Sequence, residues 1–159
     1  MITRILITAA MLASAGVASA DVIAERKAGF KGNVAALKTI KAALGAGDLT
    51  PVVGAAESVA DWSARMTEYF PEGSDEGETN ARMDIWLDFD DFTAKAKSAE
   101  NAALILAALA RDGDMDGAKQ GFKTLAGTCK TCHQSGFSNH NRCCLSSRAT
   151  TGSSPHPWR

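Results

Sequence analysis

Three residues near the carboxyl end have the types and the spacing for metal or redox chemistry. The stretch GTCKTCHQSGF, residues 127–137, holds Cys129 and Cys132 three positions apart, and His133 directly follows the second thiol. A C-x-x-C pair can supply half of a structural zinc site, act as a redox-active dithiol or, when His follows, attach a haem. Chance occurrence is the fourth alternative. The elements around the motif are needed to choose among these interpretations.

Apolar residues before the motif recur at helical spacing in four stretches, which predicts four amphipathic helices. These cover residues 22–44, 50–70, 84–111 and 115–132. Gly45 is the predicted end of the first helix, and Thr50 is the predicted N-cap of the second. No segment shows a convincing strand alternation. We therefore predict an all-α protein, an antiparallel four-helix bundle with one long polar connection at residues 71–83.

Both motif cysteines continue the apolar seam of the fourth predicted helix. The seam steps through Met115, Ala118, Phe122, Leu125, Cys129 and Cys132. Because these positions share one helix face, both thiols should face the bundle interior, with His133 on an adjacent edge. A thioredoxin-like dithiol would instead begin a helix within a βαβ pattern, so the sequence disfavours that interpretation.

Haem attachment fits this placement. It needs two thiols about one helical turn apart and an imidazole beside them, and cofactors of bundle proteins are held between facing helices. A structural zinc site is the main alternative, because it needs four ligands and residues after 137 could supply the other two. The tail residues that could do so are Cys143, Cys144, His140 and His156. A zinc site would leave the upstream bundle without a role.

The first 20 residues have the pattern of a secretory signal peptide. Arg4 precedes an apolar run, and Ala18 and Ala20 supply the small residues of a cleavage site. The run is shorter than the roughly 20 residues that a membrane span needs. We predict cleavage after Ala20, a mature chain that starts near Asp21, and export to the periplasm.

The charge balance argues against nucleic acid or an anionic membrane as a partner. The chain has 17 Lys and Arg against 18 Asp and Glu. Four arginines lie in residues 1–20 and 138–159, which contain no acid, so residues 21–137 are the acidic part.

Residues 138–159 lack both acidic residues and an apolar period, and they are predicted to be a disordered tail. The predicted domains are therefore residues 1–20, 21–137 and 138–159.

Four segments in order give the chain a family resemblance. They are ERKAGF at 25–30, FPEGS at 70–74, ARMDIW at 81–86 and the closing GTCKTCH. From about Asp21 to Gln134 the sequence resembles the class II c-type cytochromes, the cytochrome c′ family. The resemblance implies one covalently attached haem c, thioethers from Cys129 and Cys132, and His133 as the proximal iron ligand.

The resemblance also assigns residues of the first helix and the long connection. Arg26 matches a position near a haem propionate, although residue pattern alone would make it a surface charge. Lys27 and Asn80 match positions that contact haem, and Phe30 matches the distal position. Low-spin members have there a Met that binds iron, which Phe cannot do. The resemblance therefore implies a five-coordinate, high-spin iron that binds nitric oxide or carbon monoxide, or carries single electrons, and no enzyme activity.

Several alternatives and one departure remain. A low-spin electron carrier would require a sixth ligand that the sequence does not identify. Family members usually have a basic residue four positions after the ligand His, where this chain has Phe137. The family also works with redox partner proteins and often pairs two subunits through the first two helices.

Four aromatic residues lie on or beside apolar stripes, so we expect them to be core residues rather than haem contacts. They are Trp62, Trp86, Phe89 and Phe92.

Overall fold

The computed structural model describes residues 15–135, and the side chains of residues 21–135. Its helices are α1 (Ala15–Ala46), α2 (Thr50–Arg65), α3 (Asp84–Leu87), α4 (Phe89–Arg111) and α5 (Met115–Gln134), with a 3₁₀ turn at Met66–Tyr69. No β-strand occurs in this range. The predicted tail lies outside it. Helix α1 begins upstream of the predicted cleavage site and therefore includes residues 15–20.

The four long helices form the predicted bundle. Helix α1 packs on α2, α2 on α4, and α4 on α5, while α5 closes against α1 with the least extensive of these contacts. Residues 47–49 and 112–114 make the two short connections, which forces the joined helices to run antiparallel. Between residues 15 and 135, no helix is long and apolar enough to cross a membrane.

The short connections use glycine and aspartate. Gly47 and Gly113 have φ values of +75° and +76°, in the left-handed region that favours glycine. Asp48, rather than Thr50, supplies the side-chain oxygen at the start of α2, because its Oδ1 accepts from the Thr50 N–H at 2.9 Å. The prediction of Thr50 as N-cap is therefore wrong, since Thr50 is already the first helical residue.

The predicted third helix is interrupted near its start. Asp88 leaves helical geometry at φ −137° and ψ 65°, and its carboxylate accepts from the Asp91 N–H at 3.2 Å. This is N-cap behaviour, so Asp88 ends the single turn of α3 and begins α4. The second predicted helix also changes before residue 70, because its last turn tightens into the 3₁₀ turn.

The core divides into two clusters at opposite ends of the bundle. The aliphatic cluster consists of Ile40, Ala43, Leu44, Val52, Ala56, Val59, Ala60, Ala102, Ala103, Leu106, Ala107, Ala110, Ala118 and Leu125. The aromatic cluster consists of Trp62, Met66, Phe70, Ile85, Phe92 and Ala96, with Tyr69, Ala81, Trp86 and Cys132 packed against it. Trp62 and Phe92 are thus core residues, as predicted. Phe89 is 37% exposed, so its assignment to the core is wrong.

Candidate functional site

Helix α5 brings the motif to the end of the bundle that contains the aromatic cluster. Asp114 caps this helix by accepting from the Gly117 N–H at 2.8 Å, and Leu125 is fully buried one turn before the motif. Cys129 and Cys132 are half-buried free thiols, and Cys132 packs on the aromatic cluster. His133, in the last turn of α5, is exposed. The thiols therefore face the bundle, and the imidazole lies at its edge.

The electrostatics of the two thiols disfavour redox catalysis by a dithiol. Burial raises the pKa of Cys129, and burial, with a smaller contribution from Cys129, raises the pKa of Cys132. Both side chains are therefore neutral thiols at pH 7. A redox-active C-x-x-C pair needs the opposite, a lowered pKa that makes one thiolate available.

The structure bears on the zinc interpretation only in part. Within residues 15–135, no three His, Cys, Asp or Glu side chains are arranged to hold a metal ion. The further ligands that this interpretation requires, Cys143, Cys144, His140 and His156, lie outside the described residues.

Arg26 is a buried cation that ties α1 to the long connection. Its side chain is 2% exposed, which excludes a simple surface charge. One terminal nitrogen, Nη2, donates to the Ser74 carbonyl oxygen at 2.6 Å and to Thr79 Oγ1 at 2.5 Å. The other, Nη1, donates to Ser74 Oγ at 3.0 Å. The guanidinium also lies 4.7 Å from the centroid of the Phe70 ring, in cation–π contact.

The neighbouring predicted residues behave differently from Arg26. Lys27 is exposed, and its Nζ donates to the Glu78 carbonyl oxygen at 2.6 Å. Asn80 is exposed. Sequence reasoning missed Ser74 and Thr79, the residues that hold the Arg26 guanidinium. The polar connection has no apolar period, so no pattern marks which of its hydroxyls is buried.

Replacing Arg26 with Met should destabilise the protein by about 2–3 kcal/mol, because buried hydrogen bonds to a charged donor would be lost and their acceptors left unpaired. Urea unfolding measures this change. Lys27→Met is the matched control, since it removes an exposed cation from the next position, and it should change the free energy of unfolding by no more than about 0.5 kcal/mol. Equal losses in the two variants would contradict the role given to Arg26.

Phe30 lies at the edge of the aromatic cluster, one helical turn after Arg26. Its ring meets Trp62 edge-on with the centroids 5.6 Å apart, and Phe70 with the centroids 6.4 Å apart. The side chain is 37% exposed. Phe30, Arg26 and Cys132 therefore border one cluster, although they come from opposite ends of the sequence.

Gly29 allows Trp62 to pack directly on the α1 backbone. A Cβ at Gly29 would lie 2.3 Å from Cη2 and from Cζ3 of the indole. No side chain other than hydrogen fits there without moving the ring. Glycine in mid-helix is otherwise unfavourable, so this contact gives the physical reason for its presence.

Gly29→Ala should therefore destabilise the protein by about 1–3 kcal/mol, through displacement of the buried indole. Gly32→Ala, three residues further along α1, is the control. A Cβ at Gly32 meets nothing within 4 Å, so alanine should be neutral or stabilising by up to about 1 kcal/mol. Thermal unfolding of both variants checks the pair, and a harmless Gly29→Ala would show that the indole is not confined.

The donor set and its surroundings suit a haem. Two thiols on one helix face stand one turn apart with an imidazole beside them, and a wall of aromatic side chains suits a flat apolar ring. Arg26 supplies a buried positive charge at the same cluster. The indole N–H of Trp62 is buried without a hydrogen-bond partner, so the polypeptide around it does not provide an acceptor for this donor.

Comparison with known protein families identifies the chain. The sequence profile described as cytochrome c′ matches residues 21–135, which is most of the sequence. The chain belongs to the cytochrome c′ family. The resemblance inferred from four short segments is thereby confirmed, and so is the bundle fold.

Individual members of the cytochrome c′ family and a named cytochrome c-556 show the extent of the similarity. The chain is 36% identical over 80 residues to a cytochrome c′ of Rhodospirillum rubrum, covering 50% of this chain and about half, 54%, of that relative. It is 35% identical over 136 residues to a cytochrome c-556 of Agrobacterium fabrum, covering 80% of this chain and 91% of that one. A solved cytochrome c′ from Shewanella frigidimarina superposes with a TM-score of 0.67 at 33% identity, covering 73% of this chain and 93% of the other.

The positions of the individual site residues come from the structure and not from the family match. Of the residues implied by the resemblance, the structure brings Arg26, Phe30 and Cys132 to the aromatic cluster. Cys129 and His133 lie on α5, the helix that carries Cys132. Phe137, the departure from the family pattern, lies outside the described residues.

Proposed function

We propose that this member of the cytochrome c′ family is a monohaem c-type cytochrome with a five-coordinate, high-spin iron. Cys129 and Cys132 would hold one haem c through thioethers, and His133 would be the protein ligand of the iron. When bound, the haem supplies a one-electron couple and an open coordination position. The role is the binding of nitric oxide or carbon monoxide, the transfer of single electrons, or both, and not enzyme catalysis.

The observation that carries this proposal is the position of Phe30 at the aromatic cluster that contacts Cys132. A benzyl group has no lone pair for iron, so it covers a coordination position without filling it. Its partial exposure allows the ring to move aside toward solvent. Phe30 would then exclude water from the iron and admit a small apolar ligand when displaced.

Arg26 would compensate the charge of a haem propionate. A buried guanidinium favours a carboxylate, and its bonds to Ser74 and Thr79 fix its orientation. Lys27 and Asn80 are proposed to border the same edge of the haem. Their exposure indicates that any contact they make there is at the solvent side.

A second candidate function is that of a low-spin electron carrier, which Met66 favours. This methionine is 6% exposed and lies inside the aromatic cluster, on the 3₁₀ turn that follows α2. Among the described residues, Met66 is the one methionine of the aromatic cluster, and its thioether could serve as a sixth ligand of the iron. Iron bound by both His and Met transfers electrons without binding gas.

The visible spectrum of the ferrous protein, recorded before and after addition of carbon monoxide, separates these functions. The protein is produced with c-type haem maturation, so covalent haem is itself a readout. A broad high-spin spectrum that sharpens with the gas supports the proposal. Sharp low-spin bands that carbon monoxide does not change, and that Met66→Leu converts to the high-spin form, would establish the electron carrier instead. Zinc without haem would overturn both.

Location and partners are proposed on the same basis. Residues 1–20 would direct export and be removed, which leaves residues 21–137 as the haem domain in the periplasm. Redox partner proteins would meet the haem there. Pairing of two copies through α1 and α2 is supported by Val34, an apolar residue of α1 that is 52% exposed one turn after Phe30.

A further inference from the structure

Trp62 has the one buried side-chain polar atom in the described part of the chain that lacks a hydrogen-bond partner. Trp62 is 7% exposed and its indole nitrogen is buried, so bulk solvent does not reach the N–H. Leaving such a group unpaired costs about 1–3 kcal/mol, and buried donors in folded proteins nearly always have acceptors. The N–H of Trp62 therefore needs an acceptor that these residues do not supply.

The contacts of the indole show which half of it packs on α1. The three carbons closest to Gly29, Cε3, Cζ3 and Cη2, all belong to the six-membered ring. The backbone of α1 at Gly29 thus lies against this half of the indole, whereas Nε1 belongs to the five-membered ring. The remainder of the ring lies in the aromatic cluster, against which Cys132 packs.

The neighbours of Trp62 indicate which acceptor a bound haem would provide. Phe30, which we place over the iron, is in edge-on contact with the indole. In the proposed function, a haem carboxylate would pair with the buried guanidinium of Arg26, whose own contacts lead toward the long connection. A small ligand that displaces Phe30 from the iron would instead come next to Trp62.

We propose that Trp62 donates its indole N–H to a diatomic ligand bound at the iron, and so determines how strongly the site holds such ligands. The inference rests on the proposed function. On this proposal, the distal side of the haem has a single N–H donor beside the apolar ring of Phe30. Such a donor favours ligands that gain negative charge when they bind ferrous iron.

Vibrational spectroscopy of the ferrous carbon monoxide complex tests the proposal. A hydrogen bond to bound carbon monoxide lowers its C–O stretching frequency, so Trp62→Phe should raise that frequency and increase the dissociation rate about fivefold. Trp86→Phe is the matched control. Trp86 Nε1 already donates to the carbonyl oxygens of Phe70 at 3.1 Å and Pro71 at 3.0 Å, so its removal should leave the frequency unchanged.

Three results would overturn the inference. The first is a C–O stretching frequency that Trp62→Phe leaves unchanged, and the second is an equal shift of that frequency in Trp86→Phe. The third is a Trp62 N–H that is hydrogen-bonded in the unmodified protein although Trp62→Phe does not change the frequency, which would place the acceptor on a haem propionate. If Trp62→Phe does not fold, ¹⁵N-Trp NMR of the unmodified carbon monoxide complex replaces it. The Trp62 indole signal is expected to move to low field when carbon monoxide is added to the ferrous protein, and a signal that the gas does not move would overturn the inference. Absence of covalent haem would instead count against the proposed function.

Discussion

Replacing Phe30 with Met is expected to lower the apparent affinity for carbon monoxide by about 100-fold or more. Position 30 borders the aromatic cluster one turn after Arg26, and a Met side chain there carries a thioether that can coordinate the iron. If the sixth position is open in about 1% of molecules, the apparent affinity falls by the same factor. The spectrum should become low-spin, and the reduction potential should rise, because His and Met ligation favours the ferrous state.

Phe30→Leu is the control for this substitution. Leucine removes the ring without offering a ligand, so the iron should stay high-spin and bind carbon monoxide at least as tightly as before. Carbon monoxide titration followed by absorbance measures both variants. A Phe30→Met protein that remains high-spin and binds the gas like the unmodified protein would show that residue 30 is not above the iron.

Changing both Cys129 and Cys132 to Ser should eliminate covalent haem entirely. A serine hydroxyl does not form a thioether. Cys132 packs against the aromatic cluster, and Cys129 is a half-buried thiol one turn before it on α5. Mass spectrometry of the denatured protein measures the loss as the absence of the haem mass. Each single variant should retain haem through the remaining thioether.

Cys143→Ser with Cys144→Ser is the matched control and also tests the zinc interpretation. These cysteines are adjacent in the tail, outside the described residues, and the proposal gives them no part in haem attachment. Haem content should therefore equal that of the unmodified protein. Loss of bound zinc from the tail variant, with no haem in either protein, would establish the non-haem alternative.

The sequence predicts the bundle and the inward placement of the thiols well, because both depend on periodicity. Cys129 and Cys132 continue a regular apolar seam, and a regular seam on a long helix must face the core. The break at Asp88 could not be predicted this way. One aspartate can cap a new helix inside an apolar period that continues on both sides of it, and this choice depends on local backbone geometry.

The polar part of the site was the least predictable. Arg26 on an exposed-looking stretch of α1 gives no sign of burial, and Ser74 and Thr79 become its partners only after the connection folds over α1. The family resemblance singled out Arg26 without these partners. Asn80 was named from the same resemblance, whereas the adjacent Thr79 makes the bond to Arg26. The haem contact assigned to Asn80 stays a prediction.

The division of the core into aliphatic and aromatic clusters has a consequence for maturation. The aliphatic cluster joins all four long helices and includes no residue of the attachment motif. Local opening in proteins follows such cooperative units, so we expect the two clusters to behave as two foldons of unequal stability. The aliphatic foldon would hold the four long helices together before any cofactor arrives. In the proposed function, the aromatic foldon would open, expose the neutral thiols to the attachment machinery, and close on the haem without global unfolding.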